Sequence, residues 1–406
     1  MSPRQPWSEG LDAELILTTP RVPVQLLCAY FKRTYRIQDG RLVRIPVEPL
    51  FNDPRDPGHD RLRIGASDFL RLKPRIDVVV HGSACSPRPV ARMETLVTLG
   101  AAEKRIAVTG RREIHWREGR PRLGPPEPFT ESPLTWQQAY GGIDHRVAVV
   151  PEGSTDITPD LLARAQHDHP GLYPRNPFGQ GYLVAEGPVP GCFAPTCEDP
   201  SDLLTDERLL VRDPRLWWRQ PLPWTYDFLP AACFPRIACF GPRADAWFPA
   251  LDEELAEVRR GFIETGFRNR VLEENVLPNR RWLQGASHGL ALEGIPKGEA
   301  LIVQGMNPLG MAVYPLPDLV EPVQVCFDGK PVQAAARAQH LVARPGEALL
   351  NIVYALEVRT PRPYLPGIHT HIDITAQLSG EAPVAYQAPP TKRALLAAAK
   401  TKAGIP

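Results

Sequence analysis

VPVQLLCAYFKRTYRIQ, residues 22–38, runs into Asp39-Gly40 and then RLVRIP, residues 41–46. Two apolar, β-prone runs divided by Asp-Gly signal a hairpin, because both positions of a tight turn there need φ > 0. A two-residue loop places Ile37 opposite Leu42. Further along, Ile76–Cys85, Met93–Leu99 and Arg105–Thr109 read as strands, the last two joined by residues 100–104. Glu113–Trp116 continues the sheet. Nothing here supplies the helical crossovers of a parallel sheet, so antiparallel pairing with short turns is expected.

Proline supplies 47 of the 406 residues and glycine 31. A proline about every nine residues leaves few stretches for long helices. Wholesale disorder is excluded as well, because 43% of the residues are apolar and can fill a core. Residues 121–245 hold dense prolines, yet also Trp136, Tyr140, Tyr173, Phe178, Tyr182, Trp217, Trp218, Trp224 and Tyr226. Disordered linkers are poor in aromatics. The segment therefore reads as ordered irregular chain anchored by its rings. In Pro249–Arg260, Leu251, Leu255 and Val258 share one helical face, with acids at the start and arginines at the end. After Trp282 the β pattern returns at 289–293, 300–304, 311–314, 323–327, 349–358 and 368–378.

The fold class is thus mainly β: short antiparallel strands in two β-rich lobes, a long Pro-rich irregular segment between them, and one or two short helices. The divisions are a β-rich 11–120, an irregular 121–245, a helix with strands over 246–318, a β-rich 319–390 and a basic tail over 391–406.

Lys+Arg is 47 against Asp+Glu 46, a net charge of +1. That gives no global field for nucleic acid or an acidic membrane. No apolar run reaches the roughly 18 residues of a membrane helix, and MSPRQPWSEG has no secretory apolar core. The seven cysteines are scattered without a CxxC, which fits reduced thiols in a cytoplasm.

Few residues carry a chemical signal. His369, His371 and Asp373 share one face of a strand, and two imidazoles at that spacing can converge on a metal. The same alternation describes a solvated strand face, and a third ligand has no candidate elsewhere. His167-Asp168-His169 lies in a polar loop without fixed geometry. There is no GxxxxGK[ST], no GxGxxG between strand and helix and no GxSxG. No cofactor is expected. Trp217-Trp218 is a packing or partner-contact pair.

Three stretches together resemble a known family. They are LKPRIDVVV from Leu72, with Lys73, Pro74, Arg75 and Asp77; PLTWQQAYGG from Pro133, with Leu134, Tyr140, Gly141 and Gly142; and YPRNPFGQGY from Tyr173, with Arg175, Asn176, Pro177, Gly179 and Gly181. Their order and gaps resemble the DUF 2169 family over residues 11–318, and the Pro-rich stretch near 221–236 takes the place of that family's proline-phenylalanine segment. This chain departs from the pattern at Ala231-Ala232-Cys233-Phe234. The resemblance implies an adaptor or chaperone that holds a type VI secretion effector and helps load it onto the spike protein. It brings no catalytic residues.

The leading expectation is therefore a cytoplasmic, non-catalytic adaptor whose partners are a secreted effector and a spike protein, with no nucleic acid and no membrane insertion. One alternative is a metal-dependent enzyme using His369, His371 and Asp373. Another is an immunity-type or structural partner of an effector.

Overall fold

A computed structural model of the chain describes residues 11–17, 25–48, 72–147, 171–229, 284–362, 374–378 and 384–385. The helix read over Pro249–Arg260, the histidines at 167, 169, 369 and 371, Asp373 and the tail over 391–406 lie outside them. The described chain is mainly β, and its helical turns are short, the longest being Pro214–Arg219. No described helix is long and apolar enough to cross a membrane.

The strands in chain order are β1 (Leu11–Leu17), β2 (Gln25–Gln38), β3 (Arg41–Ile45), β4 (Ile76–Val80), β5 (Ser83–Val90), β6 (Arg92–Leu99) and β7 (Ala102–Thr109). Then come β8 (Ile114–Arg117), β9 (Arg120–Leu123), β10 (Phe129–Pro133) and the short β11 (Tyr140–Gly141), β12 (Gln180–Gly181), β13 (Cys197–Glu198) and β14 (Ala291–Leu292). The last are β15 (Ala300–Gln304), β16 (Met311–Pro315), β17 (Val320–Phe327), β18 (Lys330–Arg344), β19 (Leu349–Arg359), β20 (Ile374–Leu378) and β21 (Val384–Ala385).

The Asp-Gly hairpin forms as expected. Asp39 and Gly40 have φ of 51° and 74°, a type I′ turn, and Ile37 faces Leu42. Around it a large sheet runs β1-β2-β19-β18-β17-β20-β21. Its two longest strands each serve two partners along one side. β2 pairs with β1 and then β3, and β18 pairs with β17 and then β4. Strands from both ends of the chain interleave here, so the sheet runs across the boundary read at 318. A smaller antiparallel sheet runs β13-β7-β6-β15-β16.

The two sheets do not follow the division into an N-terminal and a C-terminal lobe, since the large one takes strands from both, and the two share one core. Leu27, Phe31, Val78, Leu341, Ile352 and Tyr354 of the large sheet pack with Val97, Ile106, Val108, Leu301, Val303 and Tyr314 of the small one. Alternation drives this, since every second side chain of each strand faces inward. Fully burying each aliphatic side chain contributes about 1.5–3 kcal/mol. Phe31 stacks flat on Tyr354 at 4.9 Å.

The Tyr314 hydroxyl lies in this core with no hydrogen-bond partner among the described residues, and burial pushes its pKa up. A buried hydroxyl without a partner costs roughly 1–3 kcal/mol. Tyr314→Phe should therefore leave stability unchanged or raise it by about 1 kcal/mol. Urea unfolding measures this, and a loss of similar size would show that the hydroxyl is paired.

Four expectations need correction. The single strand over 76–85 is two strands. After β4 the chain leaves the large sheet at His81-Gly82, and Cys85 N–H bonds Gly305 on the small sheet's side. The β6–β7 connection is only Gly100-Ala101, because residues 102–104 are already paired with β6. Residues 114–117 do not extend the sheet but pair with β9 as a separate hairpin. Pairing is not wholly antiparallel: β4 lies parallel to β18, with Asp77 opposite His340. A parallel neighbour needs a crossover, which the long chain between β4 and β18 supplies.

The Pro-rich segment has a core of its own. Tyr140, Tyr173, Tyr182, Leu204, Leu209 and Trp217 are buried together. The rings meet edge-on or tilted, Tyr140 on Tyr173 at 5.2 Å and Tyr173 on Tyr182 at 5.3 Å, the geometry favoured by ring quadrupoles. Its aromatics do anchor irregular chain.

Candidate functional site

PLTWQQAYGG and YPRNPFGQGY lie far apart in sequence and dock against each other. Tyr140 and Gly141 pair in parallel with Gln180 and Gly181. Around that bridge, Gly142 N–H donates to the Asn176 carbonyl at 2.8 Å, Tyr173 N–H to Gly142 at 3.0 Å and Tyr182 N–H to Gly141 at 2.9 Å. Asn176, fully buried, is the centre. Its Nδ2 donates to the carbonyls of Trp136 at 2.6 Å and Tyr140 at 3.2 Å. Such closeness needs glycine. Gly141 and Gly142 have φ of +148° and +106°, and a Cβ on Gly141 would stand 2.1 Å from the Asn176 carbonyl oxygen. Gly179 is confined likewise, 2.5 Å from the Ala139 carbonyl, and Gly181 faces Pro195. Pro133 pairs with Ser83 at the end of β10, Leu134 enters the main core, and Pro177 is buried. The Arg175 guanidinium stands 5.5 Å from the Trp217 ring.

The third motif sits at the start of β4. Lys73 Nζ bonds Asp77 Oδ2, and both side chains are fully buried. Asp77 also accepts from Gln284 Nε2 at 2.7 Å and Gly285 N–H at 2.9 Å. Burial alone raises the Asp77 carboxyl, but the Lys73 and His340 charges and the hydrogen bonds outweigh it, so it is held below the usual carboxylate range. Pro74 and Arg75 are exposed, and Arg75 pairs with Glu293 at 2.6 Å.

Residues 221–229 join the motifs. Trp136 Nε1 donates to the Phe228 carbonyl at 2.5 Å, and the Phe228 ring meets His340 edge-on at 4.9 Å. His340 in turn lies opposite Asp77. Val80 N–H donates to Tyr226 at 3.0 Å, and the Tyr226 hydroxyl meets Thr95 Oγ1 at 3.0 Å. The three motifs and the proline-phenylalanine stretch form one connected framework.

Residues 23–355 match the model of a family described as "Uncharacterized protein conserved in bacteria (DUF2169)". The chain belongs to this family. The match runs past residue 318 through β18 and into β19, the strands at the middle of the large sheet. No curated protein and no solved structure matches the chain.

Within this DUF2169 chain the described contacts of the motif residues are packing, ion pairs and hydrogen bonds. Trp217 is 7% exposed and packs in the second core, while nothing is described of the Trp218 side chain. Burial pushes the Cys197 thiol up to about 12 and Cys192 up to about 11, away from nucleophilic thiolate. Among the described residues no group of three His, Cys, Asp or Glu is placed to hold a metal.

Sequence reading missed Lys104. It is 3% exposed, on the inward face that Ile106 and Val108 share. Its Nζ donates to Ser287 Oγ and the His288 carbonyl, each at 2.8 Å, and lies 3.8 Å from the Trp224 ring centroid. The period-2 alternation would have pointed it inward had residues 102–104 been read as strand. His340, Gln339 and Gln284 gave no local signal, because their partners lie far away in sequence.

Proposed function

We propose that this DUF2169 protein is a non-catalytic cytoplasmic adaptor or chaperone that binds a type VI secretion effector and assists its loading onto the spike protein. The observation that carries the reading is the motif framework. Its residues fix an irregular, aromatic-anchored segment of chain on a rigid pair of sheets and bring no reactive group together among the described residues. A scaffold of that kind suits holding a partner by shape and a few anchors. Leu309, 89% exposed, and Met311, 53% exposed, are further apolar side chains open to contact.

The test is co-expression with a type VI secretion effector and a spike protein of the same bacterium. Removing this protein should lower effector abundance and abolish effector–spike association. Unchanged abundance and association would sink the proposal.

A further inference from the structure

The described chain reaches Leu229 and resumes at Gln284. The segments Phe228–Leu229 and Gln284–His288 meet, with Leu229 N–H donating to the Gly285 carbonyl at 2.6 Å. They are also tied to both sheets. On the large sheet, Asp77 of β4 accepts from Gln284 Nε2 and Gly285 N–H. On the small sheet, Lys104 of β7 donates to Ser287 and His288 and lies against Trp224, whose Nε1 donates to the Arg105 carbonyl at 2.6 Å. One buried carboxylate and one buried amine thus hold the same pair of segments. Tyr226 and Leu290, which flank these two segments, are set in the main core.

Both posts respond to protons in the same sense. The Asp77 carboxyl is held low, because the Lys73 and His340 charges and its hydrogen bonds overcome burial. Burial pushes the Lys104 amine well below the usual lysine range, with the Asp199 charge opposing. No described carboxylate lies within ion-pair distance of that amine. In each case the attached form binds fewer protons than the detached one. Attachment by Lys104 strengthens with rising pH between its lowered value and the usual lysine value, and attachment by Asp77 is lost as pH falls through its lowered value. The other titratable groups near Lys104 are His288 and Tyr226, whose hydroxyl donates to the Lys104 carbonyl at 3.3 Å. His81, 3.2 Å from Asp227, works the other way, since that pair is ionic only when the imidazole is protonated.

We propose that this doubled attachment is a proton-sensitive clasp: as pH falls, Phe228–Leu229 and Gln284–His288 detach from the sheets while the sheets stay folded.

Native-state hydrogen exchange on the full chain from pH 9 to pH 3, corrected for intrinsic exchange, tests it; the upper part of that range reports on Lys104 and the part below the usual carboxylate value on Asp77. Protection of the Leu229 and Gly285 amides should fall with pH, by up to about tenfold per unit for each linked proton. Protection of Ile352 and Tyr354 in β19 should hold. Lys104→Met should flatten the upper part of the profile. Ser287→Ala, which keeps the amine, should lower Gly285 protection and spare β19; it decides the matter if Lys104→Met does not fold. Leu229 and Gly285 tracking β19 at every pH, or either variant leaving their protection unchanged, overturns the proposal.

Discussion

Gly141→Ala will destabilise the protein by about 3–6 kcal/mol. Three costs combine: an alanine in a glycine-only conformation, about 1–2 kcal/mol; overpacking, about 1–3 kcal/mol; and weakened buried hydrogen bonds, about 1 kcal/mol. The overpacking is severe because the new Cβ meets the Asn176 carbonyl oxygen at 2.1 Å, which is backbone and has no rotamer to escape into. Relief requires parting the two motifs, and that exposes the Tyr140–Tyr173–Tyr182 core. Gly346→Ala is the control, since a Cβ there meets nothing within 4 Å, and it should stay within about 0.5 kcal/mol. Denaturant midpoints and near-ultraviolet circular dichroism of the tyrosines report both. Equal midpoints for the two variants would refute the docking of these motifs.

Lys73→Ala should cost about 3–5 kcal/mol, the usual loss when one member of a buried ion pair is removed. Asp77 is left charged inside the protein, with Gln284 and Gly285 as its remaining donors. Replacing both, as Lys73→Met with Asp77→Leu, should recover part of that loss, because the stranded charge goes too. Two donors at residues 284 and 285 are then left bare, so recovery stays incomplete. The pH dependence has a definite sign. A depressed folded pKa means that the Asp77 contribution is fully present above the unfolded carboxylate value and is lost as pH falls through the folded one. Urea unfolding at neutral and acid pH should show the wild type and Lys73→Ala converging on the acid side. A constant gap would rule out this ion pair as the cause.

The candidate framework was legible only in pieces. Each glycine and proline of the motifs marks a special backbone position, and the two aromatic motifs advertise a core. That Gly141 needs no side chain because Asn176 arrives from 35 residues later is not written in either stretch. Lys73 and Asp77 stand four residues apart in the chain, a spacing that says nothing of their burial. Their burial comes from Gln284, Gln339 and His340, far downstream.

The fold divides in the same way. Asp39-Gly40 set the first hairpin, because the φ > 0 requirement is local to two residues. The apolar, β-prone run over 349–358 set β19, which the structure buries on both faces rather than at alternate residues. Mainly-β class and, among the described residues, the scarcity of helix and the aromatic-anchored irregular chain follow from strand patterns, composition and ring content. β18 escaped. KPVQAAARAQHLVAR is rich in alanine, a poor strand former. It forms a strand because β19, β17 and β4 all pair with it, and its small Ala336, Ala338 and Ala343 fit under the opposite sheet. Turn geometry and side-chain period are properties of neighbours along the chain, so the sequence states them. Which strand lies beside which, and which polar group is buried by it, depends on contacts between residues hundreds of positions apart, and only the packed structure decides those.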